Sequence, residues 1–256
     1  MAASQTAQAS PTEGGISVQD VGIRFTRNRA ARRSFKDLFA GRARRRQPDQ
    51  FWPLRNVSFQ VASGEAIGVV GRNGQGKSTL LKLVAQVMRP DEGEVHVRGG
   101  VAPLIEITGG FVNDLTVRDN VNLTAGLHGM STREIAQRFD EIIEFAELEK
   151  FVDTPYKHLS SGMKVRLAFA VISRLEEPII LVDEVLAVGD APFKAKCYTR
   201  IEELLAGGRT LFFVSHSEKD LLRFCTRGLY LDKGHLVLDA PIREVVARYN
   251  SDYGAT

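Results

Sequence analysis

The sequence predicts an α/β fold with a central, mainly parallel sheet. Two observations predict it. Residues 65–70, 178–182 and 210–214 are short apolar runs of strand length, the pattern of strands covered on both faces. Each is followed by sequence of helical character, at 78–85, 193–205 and 218–226. Strands that alternate with helices are joined by crossovers, and crossovers leave neighbouring strands parallel.

Taken in order, residues 1–14 are small and polar, with no apolar segment of the signal-peptide kind, and are expected as a disordered tail. Residues 16–21 alternate apolar and polar, the signature of a half-exposed strand that ends over 22–25. Residues 51–61 form another strand, with Leu54, Val57, Phe59 and Val61 on its apolar positions. The run 65–70 leads into Gly71-Arg72-Asn73-Gly74-Gln75-Gly76-Lys77-Ser78-Thr79, which fits the phosphate-binding pattern G-x-x-x-x-G-K-[ST]. Strand before and helix after supply the context that gives the pattern its mechanism. The glycines let successive N–H groups curl toward an anion, and the helix beginning near Ser78 aims its positive end there. Lys77 reaches terminal phosphates and the Ser78 hydroxyl suits Mg²⁺, so ATP with Mg²⁺ is the expected ligand.

Beyond a turn at 89–93, residues 94–98 alternate as a strand and 101–107 form a further apolar run. Residues 112–175 are then mostly helical. Ser131 with Glu134 makes a capping box, and Ile135, Phe139, Ile142, Ile143 and Ala146 keep helical period behind it. This reads as an inserted α-helical subdomain, and the strands before it as a separate antiparallel β subdomain. The strand over 178–182 ends in Asp183 and Glu184. Residues 228–238 read as a hairpin about Lys233-Gly234, and 251–256 as a tail.

The charged fraction of 25% and apolar fraction of 43% are ordinary for a globular chain with ample core. Two cysteines exclude a disulfide framework. No apolar run approaches the ~20 residues a membrane helix needs, so membrane work requires a partner that supplies the spans. The net charge of +3 conceals an asymmetry: nine arginines and Lys36 stand against Asp37 alone over residues 24–46, a local +9 that leaves −6 elsewhere. Within the basic insert at 27–50, Phe35, Leu38 and Phe39 fall at helical spacing among Arg32, Arg33 and Arg42, a short basic amphipathic helix.

Asp183 ends an apolar strand about a hundred residues after the glycine loop, where a metal-binding aspartate of phosphate-loop enzymes belongs, and Glu184 beside it can act on the attacking water as general base. Leu159-Ser160-Ser161-Gly162-Met163 opens a helix some twenty residues before Asp183, and His216 closes a strand about thirty residues after Glu184. This set, in this order, resembles the nucleotide-binding subunit of ABC transporters over about residues 16–240. The resemblance implies a P-loop NTPase core of the ABC ATPase kind spanning about 15–250. It also implies a signature motif at Ser160, Ser161 and Gly162, a switch histidine at His216 and a D-loop ending in Asp190. Glu106 then stands at the Q-loop position as a further metal-side residue, and an aromatic stacks on adenine, Phe25 by position with Phe51 and Trp52 as alternatives. The signature reads Leu-Ser-Ser-Gly-Met and the D-loop Asp-Glu-Val-Leu-Ala-Val-Gly-Asp, departures that resemble the ATPase subunits of O-antigen, teichoic acid and capsule exporters.

The resemblance further implies a head-to-tail dimer of two copies with two ATP between them, docked on an integral-membrane permease at the cytoplasmic face of the membrane, with a lipid-linked glycan as cargo. The basic stretch 27–46 is expected on an anionic membrane surface, far in sequence from the ATP chemistry. Another exporter cargo, or a soluble ATPase acting on ribosomes or DNA, are the competing readings. A single ATPase domain without a heptad run argues against the last, and no nucleic acid is expected.

Overall fold

The computed structural model describes residues 11–27, 49–104, 110–183 and 190–253. Its elements in chain order are β1 (Ile16–Arg27), β2 (Asp49–Val61), β3 (Ala66–Val70), α1 (Lys77–Val84), β4 (Glu92–Val97), β5 (Val101–Leu104), α2 (Val117–Leu127), α3 (Thr132–Ala146), α4 (Ser161–Ile172), β6 (Ile179–Val182), α5 (Ala191–Ala206), β7 (Thr210–Val214), α6 (Glu218–Phe224), β8 (Arg227–Asp232), β9 (His235–Pro241) and α7 (Ile242–Tyr253). One sheet runs β5-β6-β7-β3-β8-β9, parallel from β5 to β8 with β9 antiparallel at the edge; a second, antiparallel sheet runs β2-β1-β4. The phosphate-loop strand β3 thus stands inside the parallel sheet, between β7 and β8.

Period-two alternation decides which layer each strand residue joins. Ile67, Val69, Ile179, Leu181, Phe212 and Val214 face α1 and the antiparallel sheet, while Val70, Ile180, Val182, Leu211 and Phe213 face α5, α6 and α7. Both faces are covered, which is why these strands carry no polar alternation. Each such side chain contributes roughly 1.5–3 kcal/mol by leaving water. Phe59 of β2 stacks on Phe212 of β7 at 6.0 Å, tying the antiparallel sheet to the parallel one.

The α-helical region has its own apolar cluster, built from Val117, Val121, Ile135, Ile142 and Ile143. Helix α4 belongs to both cores: Leu167, Ala170 and Val171 join this cluster, and Ala168, Phe169 and Ile172 join that of the sheet. Phe145 of α3, Phe169 of α4 and Phe193 of α5 pack ring on ring at 5.7–6.3 Å, the seam between the two regions.

Three segments differ from the sequence expectation. Strand β1 does not end over 22–25 but runs to Arg27, paired residue by residue with β2 up to Arg27 opposite Asp49. Residues 28–48, the bulk of the basic insert with the amphipathic helix expected there, lie outside the described residues; the flanking Arg27 and Asp49 are register partners. Residues 11–14 are not loose: Gly14 N–H donates to the Arg98 carbonyl at 2.7 Å and the Thr210 hydroxyl donates to the Gly14 carbonyl at 2.7 Å. At the other end, α7 carries the chain to Tyr253, three residues into the segment expected as tail. Its apolar face, Ile242, Val245, Val246 and Tyr249, packs on the sheet core.

Candidate nucleotide-binding site

Helix α1 begins at Lys77 with Gly76 as its N-cap, at φ 96°, and no side chain caps it. Helices α2 to α6 each have a side-chain cap, from Thr116, Ser131, Ser160, Asp190 and Ser217. The difference is mechanical. With no side-chain cap, the positive end of the α1 dipole faces outward, where an anion is favoured. Glycine is required at two points of the loop: a Cβ at Gly76 would meet the Pro53 carbonyl, and one at Gly71 the Leu231 carbonyl. The Lys77 ammonium is buried and donates to the Gly71 carbonyl at 2.7 Å and the Arg72 carbonyl at 3.0 Å, so the lysine is held across the loop it belongs to.

A cleft of about 590 Å³ opens in front of this helix end, lined by Phe25, Phe51, Pro53, Asn73, Gly74, Gly76, Lys77, Ser78, Thr79 and Asp183. Asp183 reaches it from the end of β6, and its N–H donates to the Leu104 carbonyl of β5 at 3.4 Å. Six of the nine loop residues expected at the phosphate line the cleft. Gly71, Arg72 and Gln75 do not, and they brace the loop from behind. Arg72 lays its guanidinium over the Tyr253 ring at 5.0 Å, and the Gln75 side-chain oxygen accepts from Lys233 N–H in the β8–β9 turn.

Of the three aromatics expected for a base, two are in place. Phe25 and Phe51 are register partners across β1 and β2, with ring centroids 5.8 Å apart, and both line the cleft. Trp52 follows Phe51 and so points to the opposite face, where Arg24 and Arg55 stack on it at 5.7 and 4.7 Å. Pro53 also lines the cleft and carried no signal in the sequence beyond its parity with Phe51.

The family described as ABC transporter matches residues 54–187, from the middle of β2 through the glycine loop to just past Asp183. The chain belongs to the ABC transporter family. It is 46% identical over 187 residues to the O-antigen export system ATP-binding protein RfbB of Klebsiella pneumoniae, which covers 73% of this chain and 76% of that protein. It is 40% identical over 215 residues to the teichoic acids export ATP-binding protein TagH of Bacillus anthracis, covering 84% of this chain but only 38% of that longer one. Among solved structures, an ATP-binding cassette captured as a dimer in a post-hydrolysis state bound to ADP and Pi shares its fold, with TM-score 0.72 over 89% of this chain and 99% of that one at 24% identity.

The other described residues expected at the site stand apart from this cleft. Ser161 is exposed at the first turn of α4, whose N-cap Ser160 accepts from Met163 N–H at 3.2 Å. Neither serine nor Gly162 lines the cleft of Lys77 and Asp183. Asp190 also stands apart from it: its carboxylate caps α5 and accepts from Arg166 of α4 at 2.8 Å, and Arg166 pairs in turn with Glu147. His216 is exposed beyond β7 and lines a small neighbouring cavity with Val70, Gly71 and Ser215. Glu106 and Glu184 lie outside the described residues.

Proposed function

We propose that this chain is the ATP-hydrolysing subunit of an exporter for a lipid-linked polysaccharide, working as a head-to-tail pair on a membrane permease. The observation that carries the ATPase part is the division of the site. Lys77, Ser78 and Asp183 share one cleft, while the second anion-binding turn at Ser161 is exposed elsewhere on the same chain. A second copy, placed by a two-fold axis, brings its Ser161 turn to this cleft and receives the same in return. Among the described residues, no helix is long and apolar enough to cross a membrane, consistent with a separate permease that holds the pair at the cytoplasmic face. The glycan cargo rests on similarity to the O-antigen and teichoic acid export proteins.

In the closed pair, Lys77 turns from its own loop carbonyls to the terminal phosphates, the α1 N-terminus meets the phosphate chain, and Phe25 and Phe51 offer flat apolar surface to the base. Mg²⁺ fits the donor set, since Ser78 and Asp183 bring two hard oxygens to one cleft and leave room for phosphate and water ligands; when bound, it neutralises charge on the phosphates. Glu184 takes the proton of the attacking water, and His216 contacts the transferred phosphoryl group. The Ser161 hydroxyl and the α4 N-terminus of the partner copy complete the shell and exclude water.

Ser161→Arg is expected to separate binding from turnover. It leaves the cleft of its own chain intact and fills the one across the interface. ATP affinity stays within about twofold of wild type, while turnover falls roughly 100- to 1000-fold, the scale of removing a transition-state donor. Normal hydrolysis by this variant would withdraw the signature role from Ser161.

For the insert at 27–46, we propose contact with an anionic membrane surface. Each basic residue there contributes roughly 1 kcal/mol near anionic lipid, so replacing Arg32, Arg33, Arg44, Arg45 and Arg46 with Gln should weaken sedimentation with phosphatidylglycerol vesicles at least about tenfold. Undiminished vesicle binding would return the insert to the status of a solvated loop.

A further inference from the structure

The last helix, α7, touches the segments that follow β3 and β7. At its last described turn, the Tyr253 hydroxyl donates to Asp232 at 2.8 Å, at the end of β8, and its ring lies under the Arg72 guanidinium at 5.0 Å. One turn earlier, Asn250 donates to Glu218 at 3.1 Å, two residues beyond His216, and Tyr249 packs against both Tyr230 and Tyr253 at 5.8 Å. Asp252 accepts from Tyr230 at 3.2 Å and from Arg248 at 3.0 Å. The last turns of the helix are therefore fixed to β8, which flanks the phosphate-loop strand.

Arg72 is the residue through which this reaches the phosphate loop. Its side chain is on Tyr253, and its carbonyl is one of the two that hold the Lys77 ammonium. The side chain on Tyr253 and the carbonyl that holds the lysine thus belong to one residue of the loop. Arg72 is itself exposed and carries a long, rotamer-rich side chain, so an aromatic platform removes freedom that the loop would otherwise lose on binding phosphate.

We propose that Tyr253 is a positioning residue of the nucleotide site: anchored by Asp232, it fixes Arg72 and so preorganises the phosphate loop, making nucleotide affinity depend on the C-terminal helix. This rests on the nucleotide-site reading above. The full chain is compared with Tyr253→Leu, Tyr253→Phe, Arg72→Ala and the Arg72→Ala/Tyr253→Leu pair, using a fluorescent ATP analogue for affinity and phosphate release for KM and kcat. An exposed cation–π contact predicts a three- to fivefold weaker affinity and higher KM for Tyr253→Leu, with kcat at saturation within about twofold of wild type. Tyr253→Phe, which keeps the ring and loses the Asp232 anchor, should fall between. In the pair, the second substitution should add nothing further. Unchanged affinity in Tyr253→Leu, or losses that add in the pair, would overturn the proposal. If Tyr253→Leu does not fold, the same cycle run with Tyr253→Phe decides by the same additivity. Lys77→Ala is the control: if it binds the analogue like wild type, it is the nucleotide site that fails, whereas its loss of binding beside a normal Tyr253→Leu refutes the brace alone.

Discussion

Replacement of Lys77 by alanine is expected to weaken ATP binding by about two orders of magnitude, as two charge-assisted contacts of roughly 1.5–3 kcal/mol each are removed and loop rearrangement recovers part. The lysine is buried in the loop and holds two of its carbonyls, so the substitution also loosens the cradle. Gly71 and Arg72 then lose a shared donor, and the N–H groups of the loop lose the curvature that points them into the cleft. Titration calorimetry measures this directly. Affinity within about threefold of wild type would place the phosphates elsewhere, since even one lost charged contact costs more than that.

Glu184→Gln is expected to keep ATP affinity and lose turnover by about two to four orders of magnitude, the range attributed to a positioned general base. The amide has nearly the volume of the carboxylate but accepts no proton. Asp183, one residue earlier, lines the cleft and keeps its place at the end of β6. Single-turnover measurement separates the chemical step from product release. A variant that turns over at more than about a tenth of the wild-type rate would remove Glu184 from the base role.

Much of this was legible in the residues. The buried strands declared themselves because both faces are covered, so no polar parity was left to confuse them. The capping box at Ser131 and Glu134 stands as read, with both reciprocal bonds formed. The hairpin about Lys233-Gly234 closes with both residues at positive φ, 49° and 78°, as a two-residue turn demands. Three things were not legible, each for a physical reason. The pairing of β1 with β2 shifts register three times between Val18 and Phe25, so counting parity along β1 cannot say which residue faces the cleft. Those shifts decide that Phe25 meets Phe51 while Trp52 turns away. The same pairing sets where the basic insert leaves and rejoins the sheet. Remote from the ATP motifs in sequence, it is rooted at Arg27 and Asp49, two residues from Phe25 and Phe51 of the cleft.

The third is α7. Ile242, Val245, Val246, Tyr249 and Tyr253 repeat at helical spacing and could have been read as an amphipathic helix. Its tie to Arg72 could not, because that contact joins residues far apart in the chain and depends on β8 lying beside β3. The separation of Ser161 from the cleft is likewise a matter of packing. It follows from α4 being shared between two cores, with its N-terminus left exposed.

The central claim is that two copies share each ATP, one giving Lys77 and the other Ser161. Analytical ultracentrifugation of the Glu184→Gln chain with and without MgATP tests it most directly, since the variant holds ATP without consuming it. The account predicts a monomer without nucleotide, a dimer with MgATP, and a return to monomer when Ser161→Arg is added to the same chain. A monomer at saturating MgATP, or a dimer that forms equally well with Ser161→Arg, would contradict it.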